Sequence, residues 1–194
     1  MTLRLYLIAF LTIVCIVAKS QVSVGLRESQ YAFAAISFCN HWSTKIEESL
    51  YSEPIDYQRI RLYAGYSIRK ERFSGELLLY VSTLWNGKYK DYGAKFITNV
   101  ELLSFWDVDL TINPHFDTGL SYKTCYSMGT GLKITKDISF LLHYSTIPEY
   151  RISEKRIRLG ARFRSKKLSV TPELSISTGK IKKLRTLCSM QYVF

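Results

Sequence analysis

Few residues in this chain carry groups suited to making or breaking bonds, and the most suggestive pair is His143 and Ser145, with Tyr144 between them. A histidine base beside a serine hydroxyl is the smallest kit for nucleophilic acyl transfer. In an extended segment both side chains fall on one face. That makes any His and Ser two apart ordinary neighbours in a pleat, so spacing alone does not define a dyad. His41 falls in a tight turn beside Trp42, where a capping or interfacial role is expected. His115 lies in Asn113-Pro114-His115-Phe116-Asp117, read as an outer connection with Asp117 as the nearest carboxylate. Two ligands without a third do not hold a metal. The sequence has no C-x-x-C pair, phosphate-cradling glycine loop, dinucleotide fingerprint or nucleophile elbow, so it implies no cofactor and no metal.

What must position these groups is a set of strands. Alternation over about ten residues recurs along the chain, punctuated by turn-forming clusters. The clearest case sets Ile60, Leu62, Ala64, Tyr66 and Ile68 against Arg59, Arg61, Tyr63, Gly65 and Ser67. Strands are predicted over 21–28, 30–39, 42–52, 57–68, 74–85, 91–104, 107–117, 119–134, 137–146, 155–165, 168–178 and 183–194. That is twelve, with ten as the alternative because the first segment is short and its turn at Glu28-Ser29 is weak. The connections alternate between short and mostly longer. Tight ones fall at Asn40-His41, Lys70-Glu71-Arg72, Phe105-Trp106, Lys136-Asp137 and Ser165-Lys166-Lys167; the others span 52–56, 85–91, 113–119, 146–154 and 178–182. Gly129-Thr130-Gly131 sits inside a strand and reads as a place that relieves crowding.

An all-β, antiparallel up-and-down transmembrane barrel explains both features: strands of about 9–11 residues cross a bilayer at a tilt, with short turns on one side and longer loops on the other. Lipid cannot hydrogen-bond, so the apolar set faces out and the charged set in. Ile60, Leu62, Leu159 and Phe163 are assigned to the outer wall. The interior then carries Lys45, Arg59, Arg61, Lys95, Lys123, Arg156, Arg158, Arg162 and Arg185 against Glu47, Glu76, Glu101, Asp109 and Glu173. Nine cations against five anions suit either a narrow anion-preferring passage or a lumen closed by ion pairs. His143 and Ser145 fall on the same interior face. Glu48 breaks the outward set of Trp42, Thr44, Ile46 and Leu50, so it marks either the outer interface or a bulge. Trp42, Trp85, Tyr89, Tyr92, Trp106, Tyr150 and Tyr192 lie near predicted strand ends, as an interfacial girdle would.

The amino end is consistent with export. Arg4 is followed by an apolar run, Leu5 to Val17, and then Ala18-Lys19-Ser20, so Met1 to Ser20 is expected to be a cleavable signal peptide, with 21–194 as the one mature domain. The run is shorter than a spanning helix needs. Cys15 lacks the preceding small residue of a lipid-anchored signal. The whole chain carries a formal charge of +11, and the signal holds two basic residues and no acid, which leaves +9. Behind an export signal that excess points to lipid phosphates and anionic solutes rather than nucleic acid. Cys39, Cys125 and Cys188 are odd in number and far apart, and read as apolar wall residues rather than a disulfide framework.

The carboxyl end is the most motif-like stretch. Leu184, Thr186, Cys188, Met190, Tyr192 and Phe194 share one face of the last segment, which stops on an aromatic with another two residues before it. This resembles the C-terminal signal of Gram-negative outer-membrane β-barrels. The resemblance implies insertion into the outer membrane by its assembly machinery through Met190, Tyr192 and Phe194, with lipid and lipopolysaccharide as surroundings and small anionic solutes as possible cargo. His143-Tyr144-Ser145 also looks like the His-x-Ser stretch of outer-membrane lipid A deacylases. The asparagine typical after that serine is Thr146 here, and the pair faces inward, away from acyl chains. The expectation is therefore a non-enzymatic envelope barrel. A lipid-modifying hydrolase and a secreted soluble β-barrel binder stand as alternatives.

Overall fold

Alternating side chains need two different solvents, and the chain supplies both by closing on itself. In the computed structural model, described for residues 20–38, 41–50, 59–117, 122–149, 152–178 and 184–194, twelve strands form a closed antiparallel barrel. Nothing is described of the side chains of 117, 122–123, 147–149 and 152–154. The expected signal segment falls outside the described residues apart from Ser20, as do Cys39 and Tyr150.

The strands are β1 Gln21–Arg27, β2 Tyr31–Phe38, β3 Trp42–Ser49, β4 Arg59–Lys70, β5 Phe73–Leu84 and β6 Lys90–Leu103. They continue as β7 Trp106–Asp117, β8 Tyr122–Lys133, β9 Ile138–Glu149, β10 Ile152–Arg164, β11 Leu168–Ser177 and β12 Leu184–Val193. Each strand pairs with its sequence neighbours, and β1 pairs with β12 to close the wall. All twelve predicted strands are present, so the ten-stranded alternative does not hold.

The two faces separate cleanly. Leu62 and Leu159 are 55% and 58% exposed on the outside, while their neighbours Tyr63 and Arg158 turn inward. Exposed leucine and phenylalanine of this kind stay out of water only if the wall meets lipid. Tyr63, Leu78 and Tyr80 form a small apolar cluster inside the barrel, with Ile97 packed against it.

Three readings need correction. Asn113-Pro114-His115-Phe116-Asp117 is not a connection, because β7 runs through to Asp117. The stretch 146–154 is mostly strand too, with β9 reaching Glu149 and β10 starting at Ile152. Proline misled in both: it signals a break because it lacks a ladder donor, yet here the strand passes through it. At Pro114 the ladder skips, pairing of β6 with β7 running to Gly93–His115 and resuming at Phe96–Ile112, whereas Pro148 stands opposite Ser153 in an unbroken β9–β10 register. A second skip, from Gly160–Glu173 to Phe163–Val170, falls at Pro172 in the β10–β11 ladder. One consequence is that the outer connections are less long than expected.

The third concerns Glu48. It lies at the outer end of β3, where Trp85 Nε1 donates to its Oε1 at 3.3 Å, and the registers on both sides of β3 are regular. The bulge alternative therefore fails at that strand; a register shift occurs instead between Glu101 and Leu103.

Candidate functional site

The interior encloses a cavity of about 990 Å³, lined from the outer rim down to mid-barrel. Alternation sends every second residue of each strand into it. Arg59 and Arg61 come from β4, Lys95 from β6, and Arg156, Arg158 and Arg162 from β10; all of them line the cavity. So do Arg27 of β1 and Glu28 in the following turn, neither assigned from sequence, together with Asp91, His115, His143, Ser145 and Glu173. Continuing the Ser23, Gly25 alternation by one step would have found Arg27. Glu28 had no such signal, because it is a turn residue.

Glu47 organises one wall. Its side chain is 1% exposed and meets Arg27 Nη2 at 2.6 Å, Lys45 Nζ at 2.8 Å and Arg61 Nη1 at 3.2 Å. Rings separate these cations: Arg27 lies over Tyr31 at 4.3 Å, Lys45 over Phe33 at 4.7 Å and Lys95 over Tyr63 at 5.8 Å. On the facing wall Arg158 Nη1 lies 2.9 Å from Glu28 Oε1 and 3.7 Å from Glu173 Oε2. Glu28 also accepts from Arg27 Nη1 at 3.2 Å, so one turn carboxylate ties β1 to β10 across the lumen.

The remaining predicted residues are spread more widely. Lys45, Glu76, Glu101, Asp109 and Arg185 are not among the cavity-lining residues. Glu76 accepts a long hydrogen bond from Ser43 at 3.5 Å, and Glu101 pairs with Lys133 at 2.9 Å below the cavity. Arg185 stands opposite Ser175 on the inward face of β12. Lys123 stands opposite His115 in β8, and its side chain lies outside the described residues. Met190, Tyr192 and Phe194 are on the outer wall, where Tyr192 and Phe194 meet edge to face at 5.0 Å.

His143 and Ser145 both point inward, but they do not form a catalytic pair in this geometry. His143 Nε2 faces Asp109 Oδ1 at 3.5 Å, and the buried Ser145 Oγ has no hydrogen-bond partner among the described residues. A Cβ on Gly129 would strike both His143 and Asp109, and one on Gly131 would strike Asp107. The glycine pair therefore makes room for polar lumen side chains. His115 is buried in β7 with Nδ1 3.2 Å from Asp91 Oδ1, so Asp91 is its carboxylate partner among the described side chains. Among the described residues no group of three potential ligands is placed to hold a metal. Among the described residues Cys188 is a free thiol.

Arginine and lysine interleaved with tyrosine around one cavity suit solutes with carboxylates on a weakly polar frame. No protein-family model matches the chain, and no curated protein matches it. Solved structures do. A KdgM porin in complex with disordered oligogalacturonate superposes with a TM-score of 0.68 at 13% identity, covering 90% of this chain and 99% of that one. A NanC porin gives 0.57 at 10% identity, covering 90% and 98%. A chain from a study of the in-meso crystallization of membrane proteins gives 0.61 at 9% identity, covering 90% and 82%. What they share is the fold. At such identities the likeness establishes a porin-type β-barrel, and any function has to be argued from this chain's own lumen.

Proposed function

We propose that this chain is a narrow, anion-preferring, non-enzymatic pore of the outer membrane. The observation that carries the reading is the make-up of the cavity wall: seven basic side chains (Arg27, Arg59, Arg61, Lys95, Arg156, Arg158, Arg162) against three acidic ones (Glu28, Asp91, Glu173). A ring of one sign raises the local concentration of the opposite ion and lowers its barrier to entry. Carboxylate-bearing sugar oligomers are the solutes of choice, since their acid groups match guanidinium and their ring faces match tyrosine. The oligogalacturonate in the KdgM porin complex belongs to that class. In this reading Met1 to Ser20 is removed on export, residues 21–194 form the barrel, and Met190, Tyr192 and Phe194 present the insertion signal to the assembly machinery, with lipopolysaccharide and phospholipid as neighbours.

The test is a planar bilayer recording on the purified barrel under a potassium chloride gradient. The expected result is discrete conductance with a reversal potential of the sign for chloride preference, reduced by added oligogalacturonate. Absence of conductance in any salt, or a cation-selective reversal potential, overturns the reading.

A further inference from the structure

We infer that Lys95 and Arg162 form an anion transit site in the lumen, two cations whose counter-charge the passing solute supplies. This rests on the pore reading and names the residues that set its selectivity. Most of the positive charge around the cavity is already answered by protein. Arg27 and Arg61 close on Glu47, and Arg158 closes on Glu28 and Glu173; Arg59 and Arg156 have contacts of their own.

Lys95 and Arg162 differ. Both line the cavity, and neither makes an ion pair or a hydrogen bond with a described residue. Lys95 lies over the face of Tyr63 at 5.8 Å, and the acids around it, Glu47 and Glu76, make no ion pair with it. The acids around Arg162 are Asp107, Asp109 and Glu173, none close enough to pair.

The backbone sets these two apart as well. Lys95 lies in the gap of the β6–β7 ladder beside Pro114, and Arg162 in the gap of the β10–β11 ladder beside Pro172. Each is thus carried by a stretch of wall where proline has removed a backbone hydrogen bond.

A half-withdrawn charge without a partner favours an incoming counter-ion more than a paired one does, because pairing has already met its desolvation cost. Conduction also needs the ion to leave again. A single ammonium and a single guanidinium, on strands well apart around the barrel, bind one carboxylate each and form no closed cage.

The test compares lumen variants of equal charge change by reversal potential. Lys95→Gln and Arg162→Gln are each expected to lower the anion-to-cation permeability ratio at least about twofold, and the double variant more. Lys133→Gln removes the same unit of charge from an ion-paired lysine below the cavity and is expected to change the ratio much less. Equal shifts in all three variants, or none in the first two, overturn the inference while an anion-selective parent leaves the pore reading standing. A parent without anion preference removes both.

A second readout avoids substitution. Pyridoxal phosphate, an anionic aldehyde, condenses with a neutral lysine amine to an imine with loss of water, and borohydride then reduces the imine to a stable amine. Peptide mapping of folded protein labelled briefly is expected to find Lys95 ahead of Lys45 and Lys133. Lys45 or Lys133 labelled first overturns the assignment.

Discussion

Glu47 is the residue on which the most charge depends. A carboxylate that is 1% exposed and holds Arg27, Lys45 and Arg61 cannot be neutralised without leaving three cations crowded on one wall. Breaking a buried pair from one side costs about 3–5 kcal/mol, so Glu47→Gln is expected to lower the unfolding midpoint in urea and detergent clearly while keeping the strand signal in circular dichroism. A midpoint equal to the parent's would mean water already screens the cluster. Glu47 was legible as an interior acid from its alternation with Lys45. Its pairing with Arg27 and Arg61 was not, because those two come from β1 and β4, and spacing along one strand says nothing of which neighbours meet across it.

At the scale of the element, the seam between β1 and β12 is the thinnest join in the wall. It has four register pairs, Ser23–Val193 to Leu26–Met190, where β9 and β10 have twelve. The turn after β1 compensates. Glu28 and Ser29 both take left-handed backbone, φ 55° each, where glycine or asparagine would be at ease. Tertiary contacts hold them there: Ser29 N donates to Cys188 O at 2.7 Å, Cys188 N donates to Ser29 Oγ at 2.8 Å, and Glu28 N donates to Ser189 Oγ at 2.9 Å. This is why the turn looked weak in sequence: its support lies about 160 residues away in the chain. Ser29→Ala leaves the Cys188 N–H without its partner and is expected to cost about 1–2 kcal/mol. Boiled and unboiled samples on gels would show it as a lower temperature for loss of the compact band; an unchanged transition would indicate that the seam does not depend on the latch.

Alternation located all twelve strands because both faces of each strand meet a different solvent, and that signal is local. The two proline-containing stretches misled for the converse reason. A proline reads as a stop, and only the neighbouring strands reveal that the ladder tolerates it. The likeness of the C-terminal strand to outer-membrane barrels pointed to the same architecture as the superposition on porin folds.

The whole molecule places a charged interior within an apolar wall, and that wall is uneven. Strands β1, β2 and β3 have seven, eight and eight residues, while β4 to β10 have twelve to fourteen. At a tilt of roughly 35–45° the short side falls below the about 9–11 residues that cross an average hydrocarbon layer. A bilayer answers such a mismatch by thinning locally or by letting the protein lean, at a cost of fractions of a kcal/mol per ångström. The barrel should therefore insert faster and unfold at higher urea in short-chain lipids than in long-chain ones, with the difference shrinking if β1–β3 were lengthened; indifference to chain length would exclude it. The three short strands put the thin flank of the barrel at β1–β3, so lipid beside that flank is expected to be compressed more than lipid beside β4–β10.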